Sequence, residues 1–239
     1  IAWMSGVFNY PYLCLAFGLG FYFLFAFPLP NGTTAPISQA ALTPASTESQ
    51  FSIDAMELEA FLQQKTRRWI PAKQRPKIPV ISKAILKEGE AYKIDPFILM
   101  SVIYVESRFN SKAVGRNGEI GLMQVKPSTA LWMISRGLIE IDSKVRSEAE
   151  IARALYDPAM NIKFGAAYLA HMRSYYPESE TLYLAAYNMG IGNVQALLRR
   201  GIQPKKYTDL VFSAYTSLQK AFVAHQNQIH TTASTFDLR

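Results

Sequence analysis

Charge divides this sequence before any motif is considered. Of its 25 basic and 18 acidic side chains, residues 1–52 hold a single one, Glu48. Within that head, Val7 to Leu29 (VFNYPYLCLAFGLGFYFLFAFPL) has no charge and is interrupted only by Asn9, Pro11 and Pro28. About 20 apolar residues cross a bilayer core as a helix, and the run is longer and more aromatic than the apolar region of a signal peptide. It is not amphipathic, so it does not read as a helix resting on a core. Residues 1–30 are therefore expected to be a membrane anchor, with a signal segment cleaved near Ser38-Gln39-Ala40 as the alternative. The first Lys is Lys65, so flanking charge gives no orientation. Nothing before Cys14 resembles a lipid-attachment motif.

Residues 31–52 are Thr, Ser, Ala and Pro without apolar period, a composition expected of an extended linker. Residues 31–77 are thus read as linker and lead-in helix, the latter on Met56, Leu58, Phe61 and Leu62. One cysteine excludes a disulfide framework. His171, His225 and His230 fit no metal-ligand spacing, so neither a metal nor a cofactor is expected.

Beyond the linker the body is patterned for helices. Asp95-Pro96 and Asp157-Pro158 pair an N-cap residue with proline at the first helical position. After Asp95-Pro96 comes FILMSVIYV, apolar nearly all round and so buried. Pro127-Ser128 opens another helix, and further helical stretches run from Glu180, Ile191 and Lys206. Between Asn110 and Val125, by contrast, Gly115, Gly118 and Gly121 mark turns, with a short strand at Ile120–Met123. Residues 226–239 lack a core pattern and are expected to be a flexible tail.

Glu106 closes the buried segment. A carboxylate in apolar surroundings is penalised for ionising, which raises its pKa toward what a general acid needs near neutrality. Taken alone, a glutamate at a helix end is more often solvated or paired, here with Arg108. Its surroundings change that weighting. Glu106-Ser107-Arg108-Phe109-Asn110 is followed by Gly121-Leu122-Met123-Gln124 with Pro127-Ser128-Thr129-Ala130, then by Asn161 to Leu169, then by Ala185-Ala186-Tyr187-Asn188-Met189-Gly190-Ile191-Gly192-Asn193. These four blocks, in this order, resemble the catalytic domain of the soluble lytic transglycosylases, the SLT domain with its goose-type lysozyme-like fold. Lys206-Tyr207 with Val211 resembles that family's weaker closing motif.

The resemblance implies a mainly α, lysozyme-like domain over residues 78–225 with a small β-lip, behind the membrane segment and linker. It implies cleavage of the MurNAc-β-1,4-GlcNAc bond of peptidoglycan without water, leaving 1,6-anhydro-MurNAc ends. Glu106 would be acid first and base second. Ordinary glycosidases need two carboxylates; here the substrate's 6-hydroxyl is the nucleophile, so one suffices. Gln124 and Asn188 would meet substrate, Met123 would be either core or the floor of a sugar subsite, and Tyr187 would hydrogen-bond and orient Glu106. Glu119 reads as a solvated lip residue and Asp157 as a helix cap. The sequence departs from the family where Gly115 stands in place of a common serine and where Glu119 replaces a small residue.

The expected partners are peptidoglycan glycan strands and, through residues 7–29, the inner membrane, with the catalytic domain in the periplasm as a monomer or as part of a secretion or cell-wall machine. A net charge of +7 suits a wall that carries carboxylates. Nucleic acid is not expected, since no recognition motif accompanies the basic residues. The alternatives are a hydrolytic muramidase on the same fold, which needs a helper acid, and a non-catalytic wall-binding module of a secretion apparatus.

Overall fold

The computed structural model describes residues 45–141 and 147–236. The apolar run at 7–29 and most of the linker lie outside the described residues. Among the described residues no helix is long and apolar enough to cross a membrane. The chain divides into two compact units, Ile1–Glu57 and Leu58–Arg239. What is described of the first is the beginning of helix α1 (Ala45–Trp69). Residues 45–52, expected as extended linker, are thus helical: adding a residue to an existing helix costs far less than nucleating one.

The second unit is built from helices. After α1 come a 3-10 segment (Ala72–Lys77), α2 (Ile78–Tyr92), α3 (Pro96–Ser107), α4 (Pro127–Ser135), α5 (Glu148–Ala154), α6 (Pro158–Tyr175), α7 (Glu180–Met189), α8 (Ile191–Arg199) and α9 (Lys206–Phe236). The small β-lip is a correction. Residues 108–126 form two isolated bridges, Val114 with Ile120 and Ile120 with Val125, and no strand among the described residues. Glycine turns leave too few consecutive extended residues for a ladder. The flexible tail is a second correction, since α9 runs on to Phe236.

Helix α3 is the axis of the unit. The Asp95 carboxylate accepts the Phe97 N–H at 2.8 Å and the Tyr215 hydroxyl at 2.7 Å, so the cap that starts α3 also ties it to α9. Every residue from Phe97 to Ile103 is buried. Phe61, Phe97 and Phe222 meet edge to face, with centroids 4.9–5.8 Å apart, locking α1, α3 and α9 together. On the other side α2 packs against α6, whose Arg173 donates to the carbonyls of Tyr92 and Lys93, both at 2.6 Å, and so caps the end of α2. With its flanks held, α3 presents its last turn at a fixed place.

Candidate active site

That last turn carries Glu106, half-buried. Immediately after it the backbone reverses: Arg108 and Phe109 both adopt positive φ, 52° and 61°, which costs non-glycine residues on the order of 1 kcal/mol each. Three contacts offset the strain. Phe109 is fully buried and stacks on Trp69 at 5.5 Å. The Arg108 guanidinium lies 4.0 Å over the Tyr104 ring, which takes it to an aromatic face rather than to Glu106. The Ser107 hydroxyl donates to Ile103 O (3.1 Å) and Leu122 O (2.8 Å), binding the end of α3 to the lip.

The lip is organised by a buried side chain from α6. Asn161 accepts the Met123 N–H at 2.8 Å and donates to Ile120 O at 2.8 Å and Leu155 O at 2.9 Å, so one amide holds three backbone groups. Gly121 has φ +82°, and a Cβ there would fall 2.3 Å from the Asn161 amide nitrogen and 2.7 Å from Leu155 O. Only glycine satisfies both the dihedral and the space. Met123 is fully buried with its side chain against Gly165, where a Cβ would come within 2.3 Å of its sulfur. Of the two readings of Met123, this packing matches core. What Met123 offers to the site is its backbone carbonyl.

That carbonyl accepts the Tyr187 hydroxyl at 2.7 Å. The orientation of Glu106 by Tyr187 is therefore corrected. The tyrosine that donates to Glu106 is Tyr207, from the first turn of α9, at 2.7 Å to Oε1. Helix α9 returns along α3 and reaches the carboxylate, whereas Tyr187, at the end of α7, meets the lip first. The closing motif Lys206-Tyr207 was the only sequence signal for this contact.

Gln124 is half-buried with φ 49°, a strained backbone of the kind found at functional sites. Its amide nitrogen donates to Gly121 O (2.8 Å) and Ala113 O (3.4 Å), which turns its carbonyl oxygen toward Gly115. Asn188 is exposed at the end of α7. Gly115 and Glu119, the two departures, prove to be neighbours: a Cβ at 115 would lie 2.3 Å from the Glu119 carboxylate. Asn117 donates to that carboxylate from its backbone (3.0 Å) and its amide (3.3 Å), and Lys126 pairs with it at 3.4 Å.

Electrostatics separate the two acids. Burial pushes the Glu106 pKa up to about 7; the Tyr207 hydrogen bond pulls it down, and the Glu119 charge adds to the rise. For Glu119, burial also acts upward, but hydrogen bonds from its own N–H and from Asn117, with Lys126 beside it, outweigh that and hold it below the usual carboxylate range. Burial and the Glu106 charge keep both the Tyr187 and the Tyr207 phenols protonated.

A groove of about 360 Å³ is lined among others by Thr129, Trp132, Tyr168, His171 and Tyr175. Tyr168 packs on Tyr187 at 5.6 Å, while Trp132 (38% exposed) and Tyr175 (52%) flank His171. Such half-exposed rings are suited to the apolar faces of sugars. Among the described residues no group of His, Cys, Asp and Glu could hold a metal.

The unit thus sets a half-buried glutamate of raised pKa at the end of α3, beside a lip shaped by glycine turns. The sequence matches the transglycosylase SLT domain over residues 83–209, just over half of the chain, and the chain belongs to that family. It is 33% identical over 132 residues to membrane-bound lytic murein transglycosylase C of Haemophilus influenzae, covering 52% of this chain and 34% of that protein. To the protein of the same name from Actinobacillus pleuropneumoniae it is 35% identical over 133 residues, covering 52% and 33%. The chain thus spans about a third of the length of these relatives. Among solved structures, an inactive variant of the lytic transglycosylase Slt of Pseudomonas aeruginosa matches with a TM-score of 0.51 at 25% identity, over 59% of this chain and 24% of that one. The 70 kDa soluble lytic transglycosylase of Escherichia coli matches with a TM-score of 0.50 at 20% identity, over 71% and 30%, which is a likeness of fold.

Proposed function

We propose that the chain is a peptidoglycan lytic transglycosylase in which Glu106 is the sole acid and base. The observation that carries this reading is a half-buried carboxylate with a pKa near 7, one oxygen held by Tyr207 and the other left for substrate. Glu106 gives its proton to the glycosidic oxygen between MurNAc and GlcNAc, and the C1–O bond breaks toward the GlcNAc leaving group. The muramyl 6-hydroxyl then attacks C1, and its proton passes to the Glu106 carboxylate. The acid is regenerated, water is not consumed, and the muramyl end closes as a 1,6-anhydro ring. A pKa near the working pH lets one group serve both steps.

Gln124 and Asn188 contact the sugars, Gln124 through a carbonyl oxygen that accepts from an acetamido N–H or a hydroxyl. Tyr187 and Met123 support this wall of the cleft through their mutual hydrogen bond. The groove along Trp132 receives further saccharides of the strand. The names of the relatives from Haemophilus and Actinobacillus describe membrane-bound enzymes; with the uncharged run at 7–29, they support a body tethered to the membrane, and we place that body in the periplasm because its proposed substrate is peptidoglycan. Mass spectrometry of fragments released from purified sacculi by the full chain tests the reaction. Anhydromuramyl ends are expected, and release of reducing ends alone would overturn it.

A further inference from the structure

Residues 60–87 contain eight basic side chains and no acidic one, a concentration that the chain-wide charge conceals. In the middle of this stretch a second cavity of about 360 Å³ opens at the 3-10 segment, lined by Pro71, Ala72, Lys73, Gln74, Lys77 and Lys112. Its floor is built rather than incidental. Gln74 is buried; its carbonyl oxygen accepts the Ser111 N–H (2.9 Å) and hydroxyl (2.8 Å), and its amide donates to Asn110 at 2.7 Å. Lys77 Nζ donates to the Ser111 hydroxyl at 3.0 Å, which fixes one ammonium group at the wall. Lys73 and Lys112 are exposed at the rim, and among the described residues no carboxylate pairs with any of the three. Three ammonium groups around one hollow repel one another, and an entering anion relieves that repulsion.

The cavity is tied to the cleft by the chain itself. Asn110, Ser111 and Lys112, which close it, are the continuation of Glu106-Ser107-Arg108-Phe109. We propose that this cavity is a subsite for an acidic peptide, namely the carboxylates of the stem peptides that hang from the glycan strand. The proposal rests on the reading of the chain as a peptidoglycan enzyme. A stem is covalently attached to the strand held in the cleft, so once the strand binds, its carboxylate is presented at high effective concentration. Lysines are mobile, well-hydrated point charges that suit a ligand exchanged at each turnover. The enzyme would thereby favour strands that still carry peptides over stripped ones.

The test uses the full chain with Glu106→Gln as a background for equilibrium binding to intact sacculi, to sacculi whose stems have been removed by an amidase, and to vesicles of anionic phospholipid. Adding Lys73→Gln and Lys112→Gln, two exposed side chains that carry no hydrogen bond of the fold's interior, should weaken binding to intact sacculi about ten-fold, as two surface charge pairs allow. Binding to stripped sacculi should not change. Lys77→Gln, added third, should deepen the loss. Arg199→Gln with Arg200→Gln, which removes the same charge from the C-terminal end of α8, should leave the preference for intact sacculi in place. Equal losses on both kinds of sacculi, an equal loss in the Arg199 and Arg200 control, or a loss confined to vesicles overturns the subsite. The products released by the unsubstituted chain report separately on the reaction, so failure of one reading is distinguishable from failure of the other.

Discussion

The end of α3 and the lip facing it each carry a glutamate, thirteen residues apart, and the fold treats them in opposite ways. Glu106 is desolvated, has one phenol donor and, among the described residues, no paired cation, and it holds its proton to about pH 7. Glu119 receives N–H donors and an ammonium group, and it stays ionised well below that. Burial, much the stronger at Glu106, raises both pKa values, and only at Glu119 do the surrounding donors outweigh it. The helix supplies an acid with little else bonded to it, while the lip supplies a fixed negative charge. Five substitutions probe this division, the most damaging first.

Glu106→Gln keeps the shape and the acceptor for Tyr207 but removes the proton. Turnover should fall at least ~1000-fold, within the range attributed to acid–base groups, while affinity for the strand survives. Stability should move the other way. A carboxylate whose pKa is raised from 4.5 in the unfolded chain to about 7 when folded costs nothing at low pH; it destabilises the fold progressively as pH rises through that window. The glutamine has no such penalty. At pH 8 the variant should therefore be more stable, by up to about 3 kcal/mol, and the gap should vanish below pH 4. Thermal denaturation across pH measures it, and a gap that does not depend on pH would mean that Glu106 titrates normally.

Tyr207→Phe comes next. The hydroxyl bonds the charged form of Glu106, so its loss should lift the pKa further and move the alkaline limb of the activity profile to higher pH. A hydrogen bond to a charged group is worth ~1.5–3 kcal/mol, so kcat should drop roughly ten- to a hundred-fold with KM little changed. The same substitution at Tyr187 removes a bond to the Met123 carbonyl instead, and its alkaline limb should stay closer to that of the unsubstituted chain.

The difference between these tyrosines also marks how far the residues could be read from sequence. Capped helix starts at Asp95 and Asp157 and the buried character of α3 follow from local pattern, and the structure agrees with each. What local pattern lacked was the return of α9: Tyr207 is 101 residues beyond its partner, and no spacing rule connects them. Met123 could be either core or subsite until Gly165, from α6, was seen to receive its sulfur. Asn161 stands near the start of α6, yet its three backbone partners lie in the lip and the turn before α6, which no local pattern indicates. The linker and tail were misread at residues 45–52 and 226–236 for the opposite reason. Their composition is polar, but helices already formed beside them extend through such residues cheaply.

Glu119→Gln should have the smallest effect and is the sharpest test of the division. Its negative charge raises the Glu106 pKa, so neutralising it should lower that pKa and bring the alkaline limb to lower pH. Because Glu119 is partly exposed and already paired with Lys126, the shift should be a fraction of a pH unit, and activity at pH 7 should fall only about two-fold. Gly115→Ala approaches the same charge sterically: the new Cβ would meet the Glu119 carboxylate at 2.3 Å and the Gln124 carbonyl oxygen at 2.9 Å, displacing the first from Asn117, yet both are ends of flexible side chains that move at little cost. The alanine variant should therefore remain folded, and its pH profile should shift only as far as the displaced carboxylate moves relative to Glu106. If Glu119→Gln instead abolished turnover while leaving the fold intact, the lip glutamate would be a second catalytic acid, and a one-carboxylate mechanism would no longer describe the site.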